Sequence, residues 1–145
     1  MKHVHLIGIG GSGLSAIARL LKEKGYVVSG SDRALTPAAN QLAQSGIQVF
    51  IGHTAGNISG ADLIVRSSAI ADDNPEVQAA LELGKPVLKR SEFLGELMAD
   101  QDGIAVAGTH GKTTTTAMIA WMLSHLGQDP SYIIGGFSKD LGSNA

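Results

Sequence analysis

Two glycine-rich loops hold most of the chemistry legible in these 145 residues. The first is Gly8-Ile9-Gly10-Gly11-Ser12-Gly13, which closes the apolar run Val4–Ile9 and opens onto Leu14, Ile17, Ala18 and Leu21 at helical spacing. In such a strand–loop–helix unit Gly8 allows a tight turn, Gly10 lets a diphosphate approach the backbone, and Gly13 lets helix and strand pack closely. The free N–H groups and positive dipole end of the helix then favour a bound phosphate. Asp32 lies 24 residues beyond Gly8, at the end of a second strand, where it can accept a bond from a ribose hydroxyl. The same glycines also suit a tight turn without any ligand, and the motif alone does not separate NAD from other nucleotide diphosphates.

The second loop is Gly108-Thr109-His110-Gly111-Lys112-Thr113-Thr114. Gly-Lys-Thr opening a helix is the working end of a phosphate-binding loop: the lysine reaches the β- and γ-phosphates, and the Thr113 hydroxyl can ligate Mg²⁺. The general pattern puts another glycine five residues before Gly111, where Val106 stands here. Four threonines in a row, Thr113–Thr116, are poor helix propagators, which points to a local functional reason for them.

The elements needed to position these loops alternate along the chain. Strands are expected at Val4–Ile9, Tyr26–Val28 running on to Asp32, Ile47–Ile51, Asp62–Val65 and Pro86–Leu88. Helices are expected from Leu14 to Lys24 with Gly25 beyond the end, Pro37 to Gln44 with Gly46 as the stop, Pro75 to Leu83 with Val77, Ala80 and Leu81 inward, and Ser91 to Met98 with Ser91 as N-cap. This is a βαβ series, predicting an α/β, Rossmann-like parallel sheet with helices on both faces and right-handed crossovers. After the polar connector Ala99–Gly103, a strand at Ile104–Ala107, a helix presenting Ile119, Met122, Leu123 and Leu126 on one face, and a strand at Tyr132–Ile134 suggest the start of a second, ATPase-like unit. The expected division is 1–99 and 100–145.

The string Gly-Thr-His-Gly-Lys-Thr-Thr-Thr resembles the phosphate-loop variant of the Mur ligases, the ATP-dependent enzymes of peptidoglycan precursor synthesis, and that variant accounts for the shifted first glycine. The first loop, with Ser29-Gly30-Ser31-Asp32, Gly52-His53, Ser67-Ser68-Ala69-Ile70 and Asn74-Pro75-Glu76, resembles the alanine-adding branch of that family more than the murein-tripeptide-recycling branch. The resemblance implies a UDP-binding Rossmann-like domain, a central ATPase and a C-terminal amino-acid domain. It implies that ATP activates the carboxylate of UDP-N-acetylmuramate as an acyl phosphate, which the amine of L-alanine attacks, in service of cell-wall biogenesis, cell shape and cell division. By the same resemblance Gly10, Gly11, Ser12 and Gly13 hold the UDP diphosphate, and Asp32, His53 and Ser68 contact uridine. Gly108–Thr114 cradle ATP, Lys112 acts on its phosphates, and Thr113 binds Mg²⁺. The family's acidic Mg²⁺ ligand falls beyond residue 145, so the chain alone is expected to bind UDP-sugar and to lack ligase activity, and the apolar helix face of its second unit is expected to pack either on the first unit or on a second copy as a homodimer. The alternatives are an NAD-dependent oxidoreductase domain, against which the second loop speaks, and a non-catalytic nucleotide-sugar-binding module.

Other residues have plainer readings. His3 and His5 alternate on one strand and read as packing or edge residues; His53 fits a solvated loop as well as a ligand contact; His125 suits a helix C-terminus. Asp72-Asp73-Asn74-Pro75 reads as a turn and helix cap rather than a metal site. Trp121 and the methionines fall at helical spacing and read as core, and Arg90 could reach a phosphate or a surface carboxylate. Bulk composition agrees with one globular core: 43% hydrophobic and 17% charged residues, with a formal net charge of −2. There is no basic patch for a nucleic acid. With no cysteine there is neither a disulfide framework nor a thiolate metal site. No apolar stretch approaches the roughly 18 residues a membrane span needs, and the start reads as a strand rather than a signal peptide. A cytoplasmic location is the expectation.

Overall fold

The structure, a computed structural model, describes residues 2–136, 138–142 and 144–145. Five parallel strands, β1 (His3–Ile7), β2 (Val27–Asp32), β3 (Gln48–Ile51), β4 (Leu63–Arg66) and β5 (Val87–Lys89), form one sheet in the order β3-β2-β1-β4-β5. The strands alternate with α1 (Ser12–Glu23), α2 (Pro37–Gln44), a 3-10 turn at Ala55–Ile58, α3 (Pro75–Glu82) and α4 (Arg90–Met98). The chain builds outward from β1 to β3, then returns to the other side of β1 for β4. The direction of winding therefore reverses between β1 and β4, the place where open α/β sheets open a crevice at their carboxyl ends.

The two faces of the sheet differ. Val4 and Leu6 of β1, Val28 of β2, and Leu63 and Val65 of β4 join Leu14, Ile17, Ala18 and Leu21 of α1, Leu42 of α2 and Phe93 of α4 in the larger core. On the opposite face Ile7 and Ile64 pack with Ile58, Val77 and Ala80 under α3. Towards β2 that second face turns polar: His5, Ser29, Ser31 and Glu76 are all buried there. Strands flanked on both sides read as continuous apolar runs when both faces are greasy, so the buried polar positions in β1 and β2 require hydrogen-bond partners on this face.

The termini of the elements follow local chemistry. Thr36 caps α2 by accepting from the Ala39 amide at 3.1 Å, Pro37 takes the first helical turn, and Gly46 leaves with φ +90°. Asn74 caps α3 by accepting from the Glu76 amide at 2.9 Å, which confirms the acidic stretch before it as turn and cap. Two details differ from expectation. Leu81 is exposed, because the face of α3 that meets the sheet is completed by Glu76 with Val77 and Ala80. Ser91 is not the cap of α4: the helix begins at Arg90, and Glu92 reaches back to accept from the Lys89 amide at 2.6 Å.

The second segment departs further. Residues 104–107 and 132–134 form no strand, and Ile104 is exposed. α5 (Lys112–His125) forms and stops before Gly127 (φ +76°) as its sequence requires. Of its apolar residues only Ala120 is buried; Met118, Trp121, Met122 and Leu126 are exposed, as is Met98 of α4, so Trp121 and these methionines are not core. The physical reason is that no sheet forms in this segment for α5 to cover. The tail turns back on the first unit instead. Ile134 is buried with its amide bonded to the Asn144 carbonyl at 2.9 Å, Ile133 packs on the larger core, and buried Asn144 donates to the Ser12 carbonyl at 3.2 Å and accepts from Arg19. Among the described residues no helix is long and apolar enough to cross a membrane.

Candidate functional site

The crevice predicted by the strand reversal is present as a cleft of about 640 Å³. Gly8, Gly10 and Gly11 form one wall from the loop after β1; Ser67, Ala69, Ile70, Ala71 and Asp73 to Pro75 form the opposite wall from the loop after β4. Asp32, Arg33, Thr36 and His53 close the β2–β3 side. The β4 wall is braced from below, where Arg66 pairs with Asp72 and donates to the Ile70 carbonyl at 2.9 Å. Among the described residues no group of three His, Cys, Asp or Glu could hold a metal ion.

The first loop is tied to β2. The Gly8 and Ile9 amides both donate to the Ser31 carbonyl, at 2.8 and 3.0 Å, and Gly8 sits at φ +88°, which selects glycine. Asp32 accepts from the Gly10 amide at 2.8 Å through one carboxylate oxygen, so this acid holds the loop as well as lining the cleft. The roles expected of two glycines shift. A Cβ on Gly10 would lie 2.5 Å from the Thr36 hydroxyl and 2.9 Å from the Asp32 carboxylate, so its smallness makes room for those side chains. A Cβ on Gly13 would lie 2.5 Å from the Arg90 guanidinium, not against a strand; the close backbone approach falls at Gly30, where a Cβ would be 2.6 Å from the Leu6 carbonyl oxygen. Arg90 therefore reaches across the start of α1, adding positive charge to a helix end that already favours anions. Gly11 is the N-cap of α1 and Ser12 its first residue. Ser12 and Gly13 stand at the helix start without lining the cleft, and Ser68 is exposed outside the lining while its neighbour Ser67 is inside it.

Beneath the β2–β3 side lies a polar network that the motifs do not reveal. Glu76 is fully buried. Its carboxylate accepts from Ser31 Oγ at 2.6 Å and Asn57 Nδ2 at 2.5 Å, and it faces His5 Nε2 at 3.5 Å and His53 Nδ1 at 3.6 Å. Burial alone would push its pKa up; the bonds from His5, Ser31 and Asn57, with the charge of His5, outweigh that and hold it below the ordinary glutamate value. His53 Nδ1 is 3.1 Å from Ser31 Oγ, and Ser29 Oγ bridges His3 Nε2 and His5 Nδ1 at 2.8 Å each. His3 and His5 are thus packed network members, as their alternation suggested. Glu76 and Ser31 were missed as site residues. The available signal was the matched spacing His3-x-His5 and Ser29-x-Ser31 on neighbouring strands, which puts four polar groups on one sheet face.

At the second loop Gly111 is in the left-handed region (φ +80°) and Lys112 starts α5. The Lys112 ammonium folds back on the loop, bonded to the carbonyls of Gly108 and Thr109, the arrangement in which a phosphate could take their place. His110 and Thr109 are exposed on the loop. Thr113 and Thr114 line a second hollow of about 730 Å³ with Met118, Trp121, Ile134, Lys139 and Asp140. The loop fits a phosphate; for Mg²⁺ it offers the Thr113 hydroxyl. His125 ends α5 as expected, stacked on Trp121 with ring centres 3.7 Å apart.

A parallel sheet reversing at β1/β4, with a glycine loop and helix N-terminus at the reversal, defines a Rossmann-like domain. Residues 3–102 match the model of the "Mur ligase family, catalytic domain", and the chain belongs to the Mur ligase family. Over all 145 residues it is 51% identical to the UDP-N-acetylmuramate–L-alanine ligase of Psychrobacter sp. (strain PRwf-1) and 50% identical to that of Nitratidesulfovibrio vulgaris (strain DP4). It covers 30% and 32% of those proteins, so the chain spans about a third of the length of the curated relatives it matches. Among solved structures, the UDP-N-acetylmuramate–alanine ligase of Thermotoga maritima superposes with a TM-score of 0.93 at 35% identity, over 99% of this chain and 34% of that one. The UDP-N-acetylmuramate:L-alanyl-gamma-D-glutamyl-meso-diaminopimelate ligase of Neisseria meningitides gives 0.92 at 38% identity, over 100% of this chain and 46% of that one.

Proposed function

We propose that the chain is the UDP-sugar-binding domain, 1–99, and the opening of the ATP-binding domain, 100–145, of a cytoplasmic ligase that joins L-alanine to UDP-N-acetylmuramate in peptidoglycan synthesis. The observation that carries the reading is the 50–51% identity, over every residue of this chain, to ligases of that name. The cleft at the β1/β4 reversal supports it, because a glycine loop at a helix N-terminus suits a diphosphate. In this reading the diphosphate lies on Gly10 and Gly11 at the start of α1, near Ser12, Gly13 and Arg90. The uridine lies towards Asp32 and His53, with Ser67 and Ser68 at the far wall.

The substrate carboxylate attacks the γ-phosphorus of ATP, displacing ADP and forming an acyl phosphate; the alanine amine then displaces phosphate. Lys112 would exchange its bonds to the Gly108 and Thr109 carbonyls for phosphate oxygens, and the Thr113 hydroxyl would help to hold Mg²⁺. The ion, when bound, supplies charge neutralisation at the phosphates. What the chain's residues contribute is positioning and electrostatic complementarity rather than covalent chemistry. The 145 residues by themselves bind UDP-sugar and have no ligase turnover; of the phosphate-loop residues, Thr113 offers a hydroxyl to Mg²⁺. The exposed apolar side of α5 is available for a second copy.

Thermal-shift titration of the chain with UDP-N-acetylmuramate, UDP and NAD tests the reading. Stabilisation by the two uridine compounds is expected. A shift with NAD and none with either uridine compound refutes it. In the full-length protein, turnover with L-alanine but not with L-alanyl-γ-D-glutamyl-meso-diaminopimelate separates this activity from that of the Neisseria relative.

A further inference from the structure

The polar network beneath the cleft fixes more than a shape. The ionised Glu76 carboxylate can only accept hydrogen bonds, so at 2.6 Å Ser31 Oγ must donate its single proton to it. Ser31 Oγ then has only lone pairs to offer His53 Nδ1 at 3.1 Å, and Nδ1 must carry a hydrogen. Asn57 cannot reverse this order. Its Nδ2 donates to Glu76 and to the Gly52 carbonyl at 3.1 Å, while its Oδ1 accepts from Thr54 Oγ1 at 2.9 Å; a flipped amide would set oxygen against carboxylate and carbonyl. A neutral imidazole has one N–H, so the other nitrogen, Nε2, carries a lone pair. The ring that bears it is 14% exposed and lines the cleft.

We propose that Ser31 and Glu76 are positioning residues that lock His53 in its Nδ1–H tautomer, so that Nε2 meets the ligand as a hydrogen-bond acceptor and selects a uracil ring, whose N3 bears hydrogen, over a cytosine ring, whose N3 does not. This rests on the uridine reading of the cleft for its ligand, but not for its tautomer. A histidine donating from Nε2 would favour the bare N3 of cytosine, so the chain of donors running to Glu76 sets the sign of the selectivity. Leaving a buried polar group mispaired in a site costs enough to change affinity about tenfold or more.

Two measurements on the 145-residue chain test it. A long-range ¹H–¹⁵N spectrum at pH ~8, where an ordinary histidine is neutral, reads the tautomer directly. It should show Nδ1–H for His53, with a weakened Nδ1–H bond in Ser31→Ala, where the Glu76 carboxylate 3.6 Å away is the acceptor left. Calorimetric titration should show UDP bound about tenfold more tightly than CDP, with the preference reduced in Ser31→Ala. His53 found as Nε2–H in the unmodified chain overturns the proposal, as does equal binding of UDP and CDP. If Ser31→Ala does not fold, the spectrum of the unmodified chain still decides. Failure of UDP, CDP and UDP-N-acetylmuramate alike to bind refutes the ligand reading of the cleft and the selectivity with it, while the tautomer stands or falls on the spectrum alone.

Discussion

Glu76→Ala should be among the most damaging single substitutions in the first unit, although the residue is charged and sits in the first turn of a helix, where an acid is usually a minor surface aid. The side chain is 0% exposed. Its removal takes the acceptor from the Ser31 hydroxyl, which keeps only His53, and from the half-buried Asn57 amide, and it opens a void beside fully buried His5. Hydrogen bonds to a charged group contribute about 1.5–3 kcal/mol each. Against the loss of two such interactions and the cavity stands the relief of carboxylate desolvation, leaving a net cost of about 3 kcal/mol, near the lower end of the range for breaking buried ionic networks. With a urea slope of about 2 kcal/mol/M for a chain of this size, the unfolding midpoint should fall by about 1.5 M. Exposed Glu82 on the same helix is the control, and Glu82→Ala should move the midpoint by less than about 0.25 M. Equilibrium urea titration followed by far-UV circular dichroism reads both. A midpoint shift below about 0.5 M for Glu76→Ala would mean that the network contributes little and that the argument from its bonds is wrong.

The same carboxyl should shape the acid limb of stability. Its folded pKa lies below the ordinary value of 4.5, so its contribution is present above the unfolded pKa and is lost as pH falls through the folded one. Glu76→Gln should therefore flatten the decline of the urea midpoint below about pH 4.5, and an unchanged slope would contradict the assignment. Gly30→Ala should cost about 1–3 kcal/mol by the same assay, because a Cβ 2.6 Å from the Leu6 carbonyl oxygen meets backbone that cannot swing aside. In the full-length protein Lys112→Ala should lower ATP-dependent ligation by more than a hundredfold while leaving calorimetric binding of UDP-N-acetylmuramate within about twofold, if the two loops serve different ligands as proposed. Asn144→Ala should raise amide exchange at Ile134, whose burial depends on the tail's bonds to Ser12 and Arg19.

The βαβ order of the first unit was legible because its signals are local. Pro37 to Gln44 could be bounded from the proline and Gly46, and Gly25 from the lysines before it. Edges that depend on tertiary partners were not. Leu81 has the spacing of a buried residue, but the inward position went to Glu76, whose burial makes sense only once Ser31 and Asn57 are beside it. The apolar runs at 104–107 and 132–134 have strand composition, yet a strand exists only by pairing, and no neighbouring strand forms in this segment. For the cleft, Gly8, Gly10 and Asp32 were readable from loop pattern and spacing, and Gly11 and His53 only through the family resemblance. Thr36, Arg33 and Ser67 were not, because they enter from side positions on two different loops.

The strand order also carries a cost in time. β1 is the middle of the sheet, and its two edges are claimed at different moments of synthesis. Val4 pairs with Val28 on one side and with Leu63 on the other. The second partner is thus made 35 residues after the first, which at ~5–20 residues per second is a wait of about 2–7 s with β2 alone in place. Through that interval the nascent chain carries a hydrophobic strand with one open edge, the form most prone to pair with a stranger. Arrival of β4, whose neighbour Asp62 accepts from the His3 amide at 2.7 Å, closes that edge. Slower decoding across the codons for residues 33–62 should therefore lengthen the chain's exposure to chaperones, and aggregation during expression should track that delay more closely than it tracks equilibrium stability.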